Sequence, residues 1–463
     1  MKLKKNDIYT VKIESITNLG FGVARIGGSV VFISDTVMGD VIECRIIKVG
    51  ASYSVGKIEK IITRSAEFVN DRCQGVCKSC AFRNISYTTE LKIKTEQVRH
   101  EMKKAGLSHI EVSDTVPSPK LCGYRNKAQY PVMNTKNGLA IGFYAPKSHR
   151  VTEAADCPLS PAVFSEIIGV LRDFFESHKI IAYDEESRTG LLRHIYLRRG
   201  EVSGEILLTL VINGNEIPFA VELVEKVTKA FSCVVGILIN KNTKNTNVIL
   251  SDEYETLYGR NYIYDTLAGV RLKISAPSFY QVNHSTAELL YAEVARLAEL
   301  KPTDTVLDLY CGAGSIGLSL AKSAGGIIGI EIIEDAVKCA KENADENGIK
   351  NARFFTGDAA NTERLLDLAE CELGRKISPD AIILDPPRAG CDARLLDYAA
   401  SLAPQRIVYV SCNPSTLARD ISYLRTLGYD TNYLTPFDMF PMTGHVESVV
   451  CLTRRLDNEL PMA

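Results

Sequence analysis

A cysteine set between a strand and a helix is the first residue of this chain whose position could do chemistry. Arg406-Ile-Val-Tyr-Val-Ser-Cys-Asn-Pro-Ser415 is an apolar, β-branched run closed by a turn signal, and Ser415-Thr-Leu-Ala-Arg-Asp420 opens a helix. Cys412 therefore falls at the carboxyl end of a strand beside a helix N-terminus, where open α/β sheets bind ligands and a helix dipole favours a thiolate. Away from such a place a buried cysteine is a small hydrophobe. Three further thiols stand together in Cys73-Gln-Gly-Val-Cys77-Lys-Ser-Cys80. Soft thiolates suit zinc or an iron-sulfur cluster, and a closed site needs a fourth donor, for which Cys122 and Cys157 are the candidates. Asp156-Cys157-Pro158 has the Cys-Pro context of cluster ligands. The C-x3-C-x2-C spacing is also that of radical S-adenosylmethionine enzymes, but a partial β/α barrel does not follow it here.

A second constellation lies downstream. In Thr305-Val-Leu-Asp-Leu-Tyr-Cys-Gly-Ala-Gly-Ser-Ile-Gly317 the glycines at 312, 314 and 317 satisfy G-x-G-x-x-G on a strand-turn-helix unit. Asp308 in the first strand and Glu331 closing the next suit the methionine end and the ribose of S-adenosylmethionine, and Glu331 would equally suit the ribose of NAD. Asp385-Pro-Pro-Arg388 closes a later strand at the same edge. Enzymes that methylate exocyclic amines follow Asp-Pro-Pro with an aromatic that stacks on the extruded base. Arg388 in that place turns the reading towards a carbon acceptor that needs a thiol. Carbon 5 of uracil is such an acceptor: a thiolate on carbon 6 makes the ring an enolate, and a base must later remove the carbon-5 proton before the thiol is expelled. Cys412 supplies the thiol. Glu447, in Met442-Thr-Gly-His-Val-Glu-Ser-Val449, is the candidate base, with His445 the alternative.

Elements that would position these residues follow from pattern. Residues 1–63 read as short strands broken by Gly20-Phe-Gly22, Gly27-Gly28 and Gly39-Asp40, an OB-like β-barrel. Lys2 to Arg64 hold ten basic against six acidic residues, a local excess of four. Asn84 to Gly106 reads as a long polar helix. Residues 64–265 form a mixed α/β domain in which Gly123–Val132 and Leu191–Arg199 are strands, with Arg193, His194, Arg198 and Arg199 around Tyr196 as a single-stranded RNA path. Residues 266–463 alternate strands and helices, including a helix near Thr362 to Leu373, and end in a closing strand pair at Thr431–Leu434 and Val446–Leu452. That pattern implies a doubly wound, seven-stranded sheet of the class I methyltransferase kind.

The totals set limits. With 46% hydrophobic residues in 463 and a mean hydropathy near zero, the composition is that of two to four globular domains. No apolar run reaches the roughly 20 residues of a membrane span, and no signal-peptide core follows Met1-Lys-Leu-Lys-Lys5, so a cytoplasmic chain is expected. Thirteen cysteines, an odd number, point to reduced thiols with metal-binding or catalytic exceptions. A net charge of −2 gives no bulk attraction to nucleic acid, so RNA contacts must come from local basic patches. A monomer is the expected state.

Taken together, Ser278-Phe-Tyr-Gln-Val-Asn283, Asp308-Leu-Tyr-Cys-Gly-Ala-Gly314, Asp385-Pro-Pro-Arg388, Ser411-Cys-Asn-Pro414 and His445-Val-Glu-Ser448 resemble the RNA uracil-5 methyltransferases, which make 5-methyluridine in bacterial ribosomal and transfer RNA. Gly20-Phe-Gly-Val-Ala24 with Gly39-Asp40 resembles the TRAM domain. The resemblance implies Cys412 as nucleophile and Glu447 as base. It implies an S-adenosylmethionine site lined by Gln281, Tyr310, Glu331 and Asp385, with Asp358 on the adenine side. It also implies a 4Fe-4S cluster on Cys73, Cys77, Cys80 and Cys157, although the first spacing is three residues where five is more usual. The expected substrate is 23S ribosomal RNA; transfer RNA and a radical S-adenosylmethionine reaction are the alternatives.

Overall fold

Val306, Leu307 and Leu309, Ile382 to Leu384, and Ile407 to Tyr409 have no exposed surface. Such unbroken apolar runs are stable only in a sheet covered on both faces. The computed structural model describes residues 3–70, 73, 77–146, 148–245, 248–358, 366–367, 369–371, 374 and 376–455. In it these runs are central strands of one sheet, in the order Ala352–Thr356, Gly326–Glu331, Thr305–Leu309, Ala381–Leu384, Arg406–Ser411, Glu447–Arg454, Tyr433–Phe437. The first five are parallel, and Glu447–Arg454 runs antiparallel to both neighbours. The chain order reverses between Thr305–Leu309 and Ala381–Leu384, which makes their carboxyl ends the switch-point crevice of a doubly wound sheet. The expected seven-stranded α/β fold is therefore present. Two short strands extend it: Glu111–Val112 lies parallel to Tyr433–Phe437, and Tyr429–Asp430 pairs with the last strand. Most of the expected helix near Thr362 to Leu373 lies outside the described residues.

The N-terminal strands, from Ile8–Lys12 to Ser54–Thr63, form a six-stranded sheet around a core of its own that includes Ile13, Val31, Ile33 and Ile42. A separate seven-stranded sheet, backed by helices Ala162–Ser177 and Ala220–Ala230, occupies the middle of the chain. Two segments from before residue 266 pack with the C-terminal sheet. The hairpin Tyr262–Leu267/Val270–Ser275 straddles position 265 and shares a core with Leu290 and Val306. Helix Tyr87–Lys104 shares a core with Leu417 and Ile421 through Val98 and Met102.

The strand Leu192–Arg199 corrects one expectation. It lies between Lys127–Thr135 and Ile206–Ile212, so both its edges are hydrogen-bonded and its side chains point into packed layers. Tyr196 and Arg198 are each 1% exposed, and Arg193 and His194 are buried. They are structural groups and not an RNA path. The Tyr196 hydroxyl donates to the Ala276 carbonyl at 2.7 Å; Arg198 donates to that hydroxyl at 2.8 and 3.2 Å and to the Ser278 carbonyl at 2.6 Å. Hydrogen bonds from a buried charged donor contribute about 1.5–3 kcal/mol each. Arg198→Met is therefore expected to lower unfolding stability in urea by about 3 kcal/mol, while the slope of log affinity for RNA against log salt, which counts phosphate contacts, stays at the wild-type value.

Candidate active site

Strand register brings most of the sequence-predicted residues to one edge. In spatial order along it stand Asp358, Glu331, Tyr310, Asp385, Cys412 and Glu447, each at or within two residues of its strand's end. Adjacent strands are about 4.8 Å apart, so the row spans about 24 Å, room for an extended nucleoside at one end and a base at the other. Ser411 and Ser448 are cross-strand partners, so Cys412 and Glu447 face each other on the next rung. Asp385 follows Leu384, whose partner in that ladder is Tyr409.

The cofactor half is shaped by backbone. Tyr310 holds a φ of +63°, rare for a residue with a side chain, and Gly312 and Gly314 follow at +55° and +79°. At Gly314 a Cβ would come 2.9 Å from the Phe354 ring, so the turn lies tight on the sheet. Glu331 accepts from the Gly312 and Ile333 amides at 3.1 and 3.0 Å, and Asp308 Oδ2 accepts from the Gly317 amide at 2.9 Å. Asp308 Oδ1 is buried with no partner among the described residues. Burial, opposed by the Gly317 amide and reinforced by the neighbouring Asp385 and Glu331, pushes the Asp308 carboxyl up to about 7. Burial does the same to Asp385, also to about 7. Two desolvated acids, one with a free oxygen, fit a cationic ligand such as a sulfonium or an α-amino group. Gln281 stands off this row, in the connection that enters helix His284–Ala298; its carbonyl accepts from Asn126 at 2.9 Å. Tyr291 of that helix bonds Ser315 at 2.7 Å, which holds the helix against the glycine turn.

The thiol half departs from expectation in its charge state. Burial, then the carboxylates of Glu447 and Asp385, push Cys412 up to about 11, against the helix-terminus effect that its position suggested. Asn413 caps that helix, its side chain accepting from the Ser415 amide at 3.1 Å, so the cap has its own acceptor. Glu447, 7% exposed, is pushed up to about 8 by burial and by Asp385. Arg388 opposes both shifts. Its guanidinium is the group that sequence reasoning undervalued: Asp-Pro-Pro-Arg was read for what Arg388 displaces, not for the cation it places beside a thiol and an acid. Its carbonyl is tied to the same helix cap, accepting from Asn413 at 3.0 Å and Thr416 at 3.3 Å. His445 is lowered by burial and by Arg388, Lys94 and Arg125, which keeps its imidazole neutral.

The four cysteines of the expected cluster are partly brought together. Cys157 is pushed up by burial and by Cys73 and Cys77 nearby, and Cys80 acts on Tyr124. Among the described residues no three His, Cys, Asp or Glu side chains are gathered closely enough to hold a metal ion.

An acid whose carboxyl is raised by folding binds its proton more tightly folded than unfolded, so it destabilises the fold as pH rises from its ordinary value to its raised one. With Asp308 and Asp385 at about 7 and Glu447 at about 8, the thermal midpoint of the ligand-free protein should fall between pH 5 and about 8. Glu447→Gln should flatten the upper part of that decline; an equal slope in the variant by calorimetry would show that Glu447 does not titrate in this range.

Comparison with known proteins supplies a context for this row. A profile described as tRNA (Uracil-5-)-methyltransferase matches residues 86–455, and a TRAM-domain profile matches residues 2–58. An RNA methyltransferase of Halalkalibacterium halodurans is 38% identical over 453 residues, covering 97% of this chain and 98% of its own. One of Clostridium acetobutylicum is 38% identical over 457 residues, covering 98% of each. The crystal structure of Pyrococcus abyssi tRNA (uracil-54, C5)-methyltransferase in complex with S-adenosyl-L-homocysteine superposes with a TM-score of 0.77 at 27% identity, over 96% of this chain and 99% of that one.

Proposed function

Since the chain belongs to the tRNA (uracil-5-)methyltransferase family, and is with it an S-adenosylmethionine-dependent RNA methyltransferase, we propose that it methylates carbon 5 of a uridine in ribosomal RNA through a covalent bond to Cys412. The observation that carries this reading is the rung on which Cys412 faces Glu447 beside Asp385 and Arg388. Cys412 loses its proton to water and its sulfur adds to carbon 6 of the extruded ring, leaving an enolate whose carbon 5 is nucleophilic. When bound, S-adenosylmethionine supplies the methyl group and a positive sulfonium, held by Asp308, Tyr310, Glu331, Asp385 and Gln281, with Asp358 towards the adenine. Carbon 5 takes the methyl as the sulfur–methyl bond breaks and its electron pair stays on sulfur, which would leave as the neutral thioether; Glu447 removes the carbon-5 proton, and the pair so released forms the carbon 5–carbon 6 double bond and expels the Cys412 thiolate.

The raised acidities fit this order of events. With no cation beside Asp385, Glu447 and Cys412 are mostly protonated at neutral pH. At roughly 8 Å and an effective dielectric of about 20, a unit charge is worth about 2 kcal/mol, or about 1.5 pH units. A shift of that order makes the ionised form of Glu447 predominate at neutral pH, so donor binding favours the base form.

A transfer RNA substrate is the second reading, favoured by the likeness to the Pyrococcus abyssi enzyme. Mass-spectrometric mapping of 5-methyluridine in both RNA classes, from cells with and without this gene, separates the two; loss confined to transfer RNA overturns the ribosomal assignment. We also assign Cys73, Cys77, Cys80 and Cys157 to a 4Fe-4S cluster, on the donor chemistry and the proximity of Cys157 to Cys73 and Cys77. Anaerobically prepared protein should carry about four irons and absorb near-visible light, and Cys157→Ser should abolish both. Turnover in air without reductant would exclude the radical alternative, for which the three-cysteine motif is the only argument.

For the covalent step, Glu447→Gln should accumulate a protein–RNA adduct that survives denaturation, and Cys412→Ala should form none and lose at least 10³-fold in kcat. Full methylation by Cys412→Ala would overturn the mechanism.

A further inference from the structure

The first five residues of the turn that delivers Glu447, 438–442, are each bonded through the backbone to another part of the chain. The Asp438 amide donates to the Val116 carbonyl at 2.9 Å. The Met439 carbonyl accepts from Asn283 at 3.1 Å, and the Pro441 carbonyl from the Tyr124 hydroxyl at 3.0 Å. The Met442 carbonyl accepts from the Phe82 amide at 2.9 Å, just beyond the Cys73–Cys80 segment. One helix supplies the charged contacts. Lys94, with no exposed surface, donates to Asp438 Oδ1 at 2.5 Å, to the Phe440 carbonyl at 3.1 Å and to Glu90 at 2.7 Å. Glu90 in turn accepts from the Met442 amide at 2.8 Å.

A lysine and two carboxylates withdrawn from water form an expensive arrangement, of a kind that hydrophobic residues of similar volume often replace with no loss of stability. Its use must then lie in direction: an ammonium with three donors fixes Asp438, Phe440 and, through Glu90, Met442 at once. The strand pairing starts immediately after, with Glu447 opposite Phe437. We propose that Lys94, with Glu90 and Asp438, is the positioning device for the catalytic base, which aims the Glu447 carboxylate at the carbon-5 proton without touching substrate. The inference rests on the uracil-5 reading given above. It assigns to helix Tyr87–Lys104 a share in the second half of the reaction, proton removal, and none in the first, thiol addition and methyl transfer.

RNA carrying 5-fluorouridine separates the halves, because a carbon-5 fluorine cannot leave as a cation and the reaction stops at the methylated adduct. The probes are total RNA from cells lacking this gene, with uridine or with fluorouridine in place of part of it, and S-adenosylmethionine labelled in the methyl group. The variants are Asp438→Asn, which keeps Lys94 with Glu90, and Glu90→Gln/Lys94→Met/Asp438→Asn, which removes all three charges together and so spares the fold an unpaired buried charge. Both should lower kcat on uridine RNA about 10²-fold, the order expected of a displacement of about 1 Å, with KM for the methyl donor unchanged. Both should also accumulate denaturation-resistant adduct on uridine RNA, yet trap fluorouridine RNA within about twofold of the wild-type rate. Wild-type turnover by the triple variant overturns the proposal. So does an equal fall in trapping and turnover by a variant that keeps its thermal midpoint, for that would place the contact in general support of the site. If the wild-type protein itself neither traps nor methylates, the uracil-5 reading fails first and this inference falls with it.

Discussion

One antiparallel strand decides what this site can do. Five parallel strands deliver their carboxyl ends to one edge, and a sixth parallel strand would have brought another carboxyl end there. Glu447–Arg454 instead runs the other way, so it enters the edge by its first residue, and the Ser411–Ser448 pairing fixes that residue opposite Cys412. A slip of one position would turn Glu447 to the other face of the sheet. The apolar residues after it, Val449, Val450 and Leu452, are all fully buried, and their alternation between two cores holds the register.

The same burial that fixes geometry sets the electrostatics. Asp308, Asp385 and Glu447 crowd acids into a desolvated edge where, among the described residues, Arg388 opposes the shift at the thiol end, and each acid responds by holding its proton near neutrality. Such a site is poorly matched to its empty state and well matched to a cation. In the proposed reaction, binding of a positively charged donor would favour ionisation of Glu447, and the raised Cys412 thiol would limit free thiolate in the empty site.

Much of this was legible in the sequence because it depends on period and punctuation. Unbroken β-branched runs announced the buried parallel strands, the glycines at 312, 314 and 317 announced a strand-turn-helix unit, and the turn after Ser411 announced the helix that starts at Pro414. What could not be read was the sign of each group's response to its neighbours. Position alone suggested a lowered thiol at Cys412, but the acids across the ladder are remote in sequence and outweigh it. Arg193 to Arg199 misled for a related reason: interleaved cations look solvated until a neighbouring strand on each side buries them, and Arg198 then finds its acceptors at Tyr196 and at Ser278, eighty residues away. The polar helix Tyr87–Lys104 misled likewise, since Glu90 and Lys94 are an ordinary i,i+4 surface pair in sequence and a buried one in space.

The turn before Glu447 is also where the N-terminal sheet touches the catalytic body. A Cβ on Gly444 would lie 1.6 Å from the Asn18 carbonyl, so the two backbones are in direct contact and only glycine fits. Asn18 lies between Ser15–Ile16 and Gly22–Ile26, in the barrel matched by the TRAM profile. Phe82, which holds Met442, is buried in the core of that same barrel. The sheet matched by the TRAM profile and the strand that carries Glu447 are thus joined through one segment bonded to both.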